Sequence, residues 1–485
     1  VLAIRLVSGS TRPDTLVLPV RPVGLDAPPE LAPTAYRPGD GLRAEAASLL
    51  PAARLTGAPG EVREHLRPDG EPARLWLLGV GDGDESAWRS AGAALARAAA
   101  GETQITIAIS DGVAALRGLV EGLLLGSYRF RLTETGPRPA LARVDVLVAD
   151  PEALAGTLAE ARTTAEMTRL ARDLTNTPSS TKHPEWFADQ VAAAASGRTD
   201  LHLRVRGPRE LAAEGFGGIL AVGGGSARGP RLVELDWRPA GARTHVVLVG
   251  KGITFDTGGI SIKPVPAMKL MRKDMAGAAA VVAATLGAAA LRLPVRVTTL
   301  APLAENMVSG SAFRPGDVIR HYGGLTSEST NSDAEGRLVL ADAMAYAVRE
   351  LTPDLLVDLA TLTGANAVAL GKRHAALYSE NDDLAAGLLA GIGAAGERAW
   401  RMPLADDYLE YLASDIADLH SSPARGAGSV VAALFLREFT GELRDRWAHL
   451  DMSAPSWSDD VHGELVKGAT GWGVRGLLRW LATLG

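Results

Sequence analysis

Short, largely apolar runs recur along this chain, and each is followed by a stretch of helical character. THVVLVG (244–250), VRVTTLAPL (295–303) and DLLVDLATL (354–362) are the plainest, with MAGAAAVVAATLGAAALR (275–292) and GRLVLADAMAYAVRE (336–350) between them. A strand buried on both faces loses the polar alternation of a half-exposed one, so these runs predict a mainly parallel sheet with helices on its faces. The alternation of the two patterns selects an α/β fold.

The same alternation runs more weakly through residues 1–150. Strand-like runs occupy Leu16 to Val20, Ala73 to Val80, Gln104 to Ile109 and Ala142 to Ala149, and helical patterns occupy Ala87 to Ala99 and Val113 to Leu125. ARLWLLGVGDGD (73–84) has the look of a nucleotide loop, but Asp84 takes the place of the third glycine of GxGxxG, so it reads as a plain strand-to-helix turn. At 485 residues the chain exceeds what one core organises. The predicted organisation is a smaller amino-terminal α/β domain over 1–150 with an assembly or regulatory role, and a connecting helix over 151–175 followed by the breaker-rich NTPSSTKHPEW. A larger α/β sandwich over 176–485 would carry the functional residues at the carboxyl ends of its strands.

Composition removes several classes of function. Without cysteine there is no disulfide, thiolate metal site or cysteine nucleophile. A net charge of −6, with residues 1–150 close to neutral, argues against nucleic acid as the main partner. No apolar run reaches the ~18–20 residues of a membrane span. Arg5 interrupts the first apolar run, which does not read as a secretory signal, so a cytoplasmic location is expected.

Charge then appears where the apolar pattern should continue. Lys251 and Asp256 lie in VGKGITFDTGG, Lys263 in ISIKP, Asp274 in MRKDMAG, and Asp333, Glu335 and Arg337 in NSDAEGR. A charge beside a buried strand costs several kcal/mol unless it is paired or binds metal. Two readings follow, a structural ion-pair network or a divalent-metal site. Clustered carboxylates suit hard or borderline cations, and bridging carboxylates suit two of them, which is hydrolase chemistry. HExxH and GxSxG are absent, and His245, His321, His374, His420 and His449 read as packing or hydrogen-bonding residues.

The segments VGKGITFDTGGISIKP (249–264), KDMAGAAAV (273–281), ENMVSGSAFRPGDV (305–318), NSDAEGRLVLADA (331–343) and DLATLTGA (358–365) closely resemble the leucine (cytosolic) aminopeptidase family. RDLTNTPSS (172–180), WAHLDMSAPSW (447–457) and GATG (468–471) extend the likeness, while residues 1–150 match only in general character. The resemblance implies a metallo-exopeptidase that releases leucine and other mainly apolar residues from peptides with a free amino terminus. It implies two divalent ions per subunit, zinc or manganese, with magnesium or cobalt tolerated.

By the same resemblance Lys251, Asp256, Asp274, Asp333 and Glu335 are the metal ligands. Asp256 and Glu335 bridge both ions, Lys251 and Asp274 complete the more exchangeable site, and Asp333 completes the tighter one. Lys263 and Arg337 form the catalytic pair, with bicarbonate at Arg337, and Met271, Thr361 and Gly364 line the first side-chain pocket. A homohexamer with active sites facing an inner cavity is implied too. Residues 421–436, SSPARGAGSVVAALFL, depart from the family's glycine-rich run. A two-metal phosphoesterase, or a non-catalytic or DNA-binding relative, is the alternative.

Overall fold

The computed structural model describes residues 2–9, 13–24, 27–36, 38–110, 112–133, 141–423 and 426–485. It divides into two compact units, Val1–Arg169 with Asp459–Lys467, and Leu170–Ser458 with Gly468–Gly485. The polar stretch after residue 150 is one continuous helix, Pro151–Asn176.

The first unit holds a seven-stranded sheet. Its strands are β1 (Ala3–Val7), β2 (Thr15–Arg21), β3 (Glu30–Leu31), β4 (Val62–Leu66), β5 (Arg74–Gly79), β6 (Gln104–Ala108) and β7 (Arg143–Leu147). They lie in the order β1-β7-β6-β2-β5-β4, with β3 beside β2, and only β3 and β4 run antiparallel to their neighbours. The four apolar runs seen in the sequence are β2, β5, β6 and β7. The edge strands β1 and β4 escape that reading because AIRLV and VREHL carry charges where a wet edge allows them. After β5, the Asp84 carboxylate accepts the Ala87 N–H at 2.7 Å and caps the helix Glu85–Ala98. The residue that breaks the nucleotide-loop pattern is therefore an N-cap.

The second unit is built on a nine-stranded sheet. It comprises β8 (Leu201–Arg206), β9 (Arg231–Trp237), β10 (His245–Gly250), β11 (Gly252–Asp256) and β12 (Arg296–Asn306). A small three-stranded sheet is formed by β13 (Asp317–Arg320), β14 (Thr326–Ser329) and β18 (Leu419–His420). β15 (Leu355–Ala360), β16 (Ala375–Tyr378), β17 (Ala399–Arg401) and β19 (Trp447–Asp451) complete the large one. Its order is β17-β16-β19-β15-β10-β12-β9-β8, with β11 also on β12. The centre, β19-β15-β10-β12, is parallel, and β16 and β9 flank it antiparallel.

Helices cover both faces of that centre, as the unbroken apolar runs require. Val247, Val249, Leu300 and Leu356 pack in one cluster with Leu338, Val339 and Phe435. On the other face the alanine-rich helix Ala276–Ala290 comes so close that a Cβ on Gly277 would lie 2.2 Å from Leu359 O. The helix after the NSDAEGR segment runs as Glu335–Tyr346 and ends in a π-helical turn, Ala347–Leu351, so its last residues are wound more loosely than the sequence pattern predicts.

Gly277→Ala should therefore destabilise the protein by roughly 1–3 kcal/mol through overpacking. Thermal unfolding should show a lowered Tm for it, and no change for Gly310→Ala, whose added methyl meets nothing within 4 Å.

Candidate metal centre

The parallel strands end together, and their ends place the charged residues. Lys251 follows β10 directly, Asp256 closes β11, Glu335 opens the helix Glu335–Tyr346, and Asp274 lies just before the helix Ala276–Ala290. Lys263 and Asp333 come from the loops between. Glycine makes two of these approaches possible. A Cβ on Gly336 would sit 2.4 Å from Lys251 Cε, so only glycine lets the lysine stem lie against the start of the helix. Gly258, at φ +85°, turns the chain after Asp256 with Asp333 Oδ1 2.7 Å from where its Cβ would be.

Two lysines interleave with four carboxylates. Lys251 Nζ lies 2.8 Å from both Asp274 Oδ2 and Glu335 Oε1, and donates to Thr361 O at 2.9 Å. Lys263 Nζ lies 2.8 Å from Asp256 Oδ2 and 2.5 Å from Asp333 Oδ1. One oxygen from each of Asp256, Asp333 and Glu335 falls within 4.8 Å of the others, close enough to share a cation. Glu335 Oε2 is buried without a hydrogen-bond partner among the described residues, and the oxygens of Asp274 and Asp333 that face the lysines lack hydrogen-bond geometry. Four carboxylates against two ammonium groups leave net negative charge and unused acceptors in a buried place. Divalent cations fit that donor set.

The electrostatics carry the same imprint. Burial opposes the charge on Lys251, yet Asp274, Glu335 and Asp256 outweigh it and hold its pKa above the ordinary lysine value. Lys263 is raised as well, burial being overcome chiefly by Asp256 and Glu335. Burial, with the charge of Glu335, pushes Asp256 up to about 7 against the pull of Lys263 and Lys251. Asp274 and Glu335 are also raised, burial being the largest cause for each.

Several residues that sequence reasoning did not single out hold the cluster in shape. Asn306, fully enclosed at the end of β12, donates from Nδ2 to Asp256 Oδ1 at 2.8 Å and to Ser332 O at 2.9 Å. Its place inside the ENMVSGS segment was the only sequence signal. Asp451, at the end of β19, accepts from Leu362 N, Thr363 N and Asn366 Nδ2, and so shapes the loop after β15. That loop carries Thr361, whose hydroxyl donates to Asp274 Oδ1 at 2.8 Å. Gly364 stands exposed at the start of the helix Ala365–Leu370, and half-buried Met271 opens the turn Met271–Lys273.

Arg337 is buried two residues after Glu335, its Nη1 donating to Ser421 O at 2.6 Å and its Nε without a partner among the described residues. Burial lowers its pKa to about 10, against Glu335 and Asp451. Ser421 begins the atypical segment 421–436, whose later part forms the helix Gly428–Arg437; residues 424 and 425 lie outside the described residues. His321 bridges Asp342 and Ser327, His449 pairs with Asp358 at 2.6 Å, and His245 meets Thr298.

Comparison with known proteins agrees with this architecture. Residues 169–478 match the catalytic domain of the cytosol aminopeptidase family, and residues 23–135 match that family's N-terminal domain. A probable cytosol aminopeptidase of Leifsonia xyli is 44% identical over 456 residues, covering 91% of this chain and 90% of the relative. One of Micrococcus luteus is 43% identical over 473 residues, covering 90% and 91%. Among solved structures, the bottromycin maturation enzyme BotP in complex with Mn superposes with a TM-score of 0.84 at 37% identity, covering 97% of this chain and 99% of that one. A mutant of tomato leucine aminopeptidase gives 0.86 at 29% identity, covering 99% and 96%.

The raised pKa of Asp256 has a definite sign. In the metal-free protein its folded pKa of about 7 stands above the ordinary 3.8, so it favours the folded state below about pH 4 and loses that contribution as pH rises through 7. A divalent ion held by Asp256 would compete with the same proton. Calorimetric titration with a divalent ion in buffers of different ionisation enthalpy should show affinity rising with pH through about 7, with more protons released below that pH than above it. Equal release on the two sides would contradict the assignment.

Proposed function

The chain belongs to the cytosol aminopeptidase family, and on that premise we propose how its residues divide the work of a metal-dependent aminopeptidase. Asp256 and Glu335 would be shared between two divalent cations. Lys251 and Asp274 would help to hold one, and Asp333 the other. The observation that carries this reading is the interleaving of Lys251 and Lys263 with four carboxylates, one buried oxygen of which has no donor among the described residues. Bound there, the cations supply an activated water at neutral pH and Lewis-acid polarisation of the scissile carbonyl.

The two lysines take opposite roles. Lys251 is enclosed between Asp274 and Glu335 and would ligate as a neutral amine, its proton released to solvent. Lys263 is less deeply buried, keeps its proton, and donates to the substrate oxygen as negative charge develops on it. Arg337, a buried cation whose Nε has no partner among the described residues, suits a planar anion, and would hold a bicarbonate whose chemistry is that of a proton carrier. The free amino terminus of the substrate binds as a neutral amine. Met271, Thr361 and Gly364 line the pocket for the first side chain, which favours leucine and other apolar residues.

Manganese or zinc fills the sites in this reading; the related BotP in complex with Mn supports manganese. A homohexamer in the cytoplasm, with the amino-terminal domain serving assembly or regulation, completes the proposal, and the cytosolic names of the relatives support the location. No helix among the described residues is long and apolar enough to cross a membrane.

Elemental analysis beside steady-state kinetics tests the division of roles. Lys251→Ala should lose or loosen one ion and keep the other, whereas Lys263→Ala should keep both while kcat falls by roughly 10²–10³. If both variants retain two ions, or if Lys263→Ala loses one, the roles are wrong. N-acetylated peptides should be inert beside their free counterparts, and comparable turnover of the two would remove the amine from the mechanism.

A further inference from the structure

The segment that carries Met271 and Asp274 has little regular structure of its own. A single 3-10 turn, Met271–Lys273, leads into the helix Ala276–Ala290, so side chains from outside fix its path. The Arg272 guanidinium lies 4.9 Å over the Trp457 ring, and Lys273 Nζ donates to Ser453 O at 2.7 Å. The third tie comes from Lys182, inside NTPSSTKHPEW, whose side chain is 0% exposed. Its Nζ donates to Arg272 O at 2.6 Å, Thr175 O at 2.8 Å and Met275 Sδ at 3.1 Å.

None of those three acceptors is a carboxylate. A lysine buried this completely is costly, and it persists where its donors satisfy groups that would otherwise be orphaned. Two carbonyl oxygens and a thioether form a cage that accepts hydrogen bonds and offers none, which fits an ammonium group. Arg272 stands two residues before Asp274 and Met275 one residue after it, so the same nitrogen grips the chain on both sides of the carboxylate. Thr175 lies near the end of the long helix Pro151–Asn176, which gives the grip a rigid base.

We propose that Lys182 is a positioning residue for the metal centre, its caged amine fixing the turn that presents Asp274. The proposal rests on Asp274 being a ligand. Removing the amine leaves the ligand set intact but frees the backbone that aims it, so affinity for one ion falls while the other is untouched.

Lys182→Met keeps the length of the side chain and removes its donors. Affinity for one of the two ions should fall by about 10–100-fold, the usual loss when a group supporting a ligand is removed. Amide exchange over residues 270–275 in the metal-free protein should quicken, and kcat should return towards the parent value when ions saturate both sites. Lys182→Ala opens the cage, and ammonium chloride should restore its ion affinity where tetramethylammonium chloride, too large to enter, does not. Asp274→Asn, measured in parallel, separates the two levels of the argument. If Asp274→Asn keeps both ions at full affinity, the ligand assignment fails. If it loses one while Lys182→Met binds both as tightly as the parent, the positioning role is overturned. Should Lys182→Met not fold, Lys182→Ala decides alone, and equal affinity in the two salts would overturn the proposal.

Discussion

Two lysines held between four carboxylates at the ends of parallel strands are the constraint to which the second unit is built. Isolated, each of those charges would cost several kcal/mol at its depth. Together they form alternating pairs, Lys251 with Asp274 and Glu335, Lys263 with Asp256 and Asp333. The backbone is shaped to allow this. Gly336 gives way to the stem of Lys251, Gly277 lets its helix press on β15 beside that lysine, and Asn306 fixes one oxygen of Asp256 so that the other faces the cluster. The pairs balance only half of the negative charge, and the remainder is what a family of metal-dependent peptidases requires.

The same geometry joins the two readings that the sequence left open. Without cations the cluster is an ion-pair network, with the ammonium groups standing where positive charge is needed. In the proposed division of roles Lys251 would give up its proton to a bound cation and Lys263 would not, and the two differ in enclosure. Lys251 is almost wholly buried, while Lys263 keeps some exposure. One arrangement of residues therefore serves both the empty and the loaded protein.

Much of this was legible in the sequence because it breaks a pattern. Buried parallel strands are read from unbroken apolar runs, so β10, β12 and β15 were plain, and charges at their ends stood out for the same reason. Features that keep to the pattern of ordinary surfaces were not legible. The edge strands β1 and β4 mix charge with apolar residues as any exposed segment does. Asn306, Asp451 and Lys182 look like common loop or strand-end polar residues, and their importance comes from partners far along the chain. Lys182 and Arg272 are 90 residues apart, and Asn366 and Asp451 are 85 apart. No local spacing records such contacts.

The central claim is that this cluster holds two divalent ions close together rather than one. Electron paramagnetic resonance of the manganese-loaded protein tests it most directly, since ions ~3.5–4 Å apart, bridged by shared carboxylates, are magnetically coupled. The account predicts two ions per chain at saturation and a spin-coupled signal of a dinuclear centre. A signal from isolated, uncoupled ions at full occupancy would contradict it.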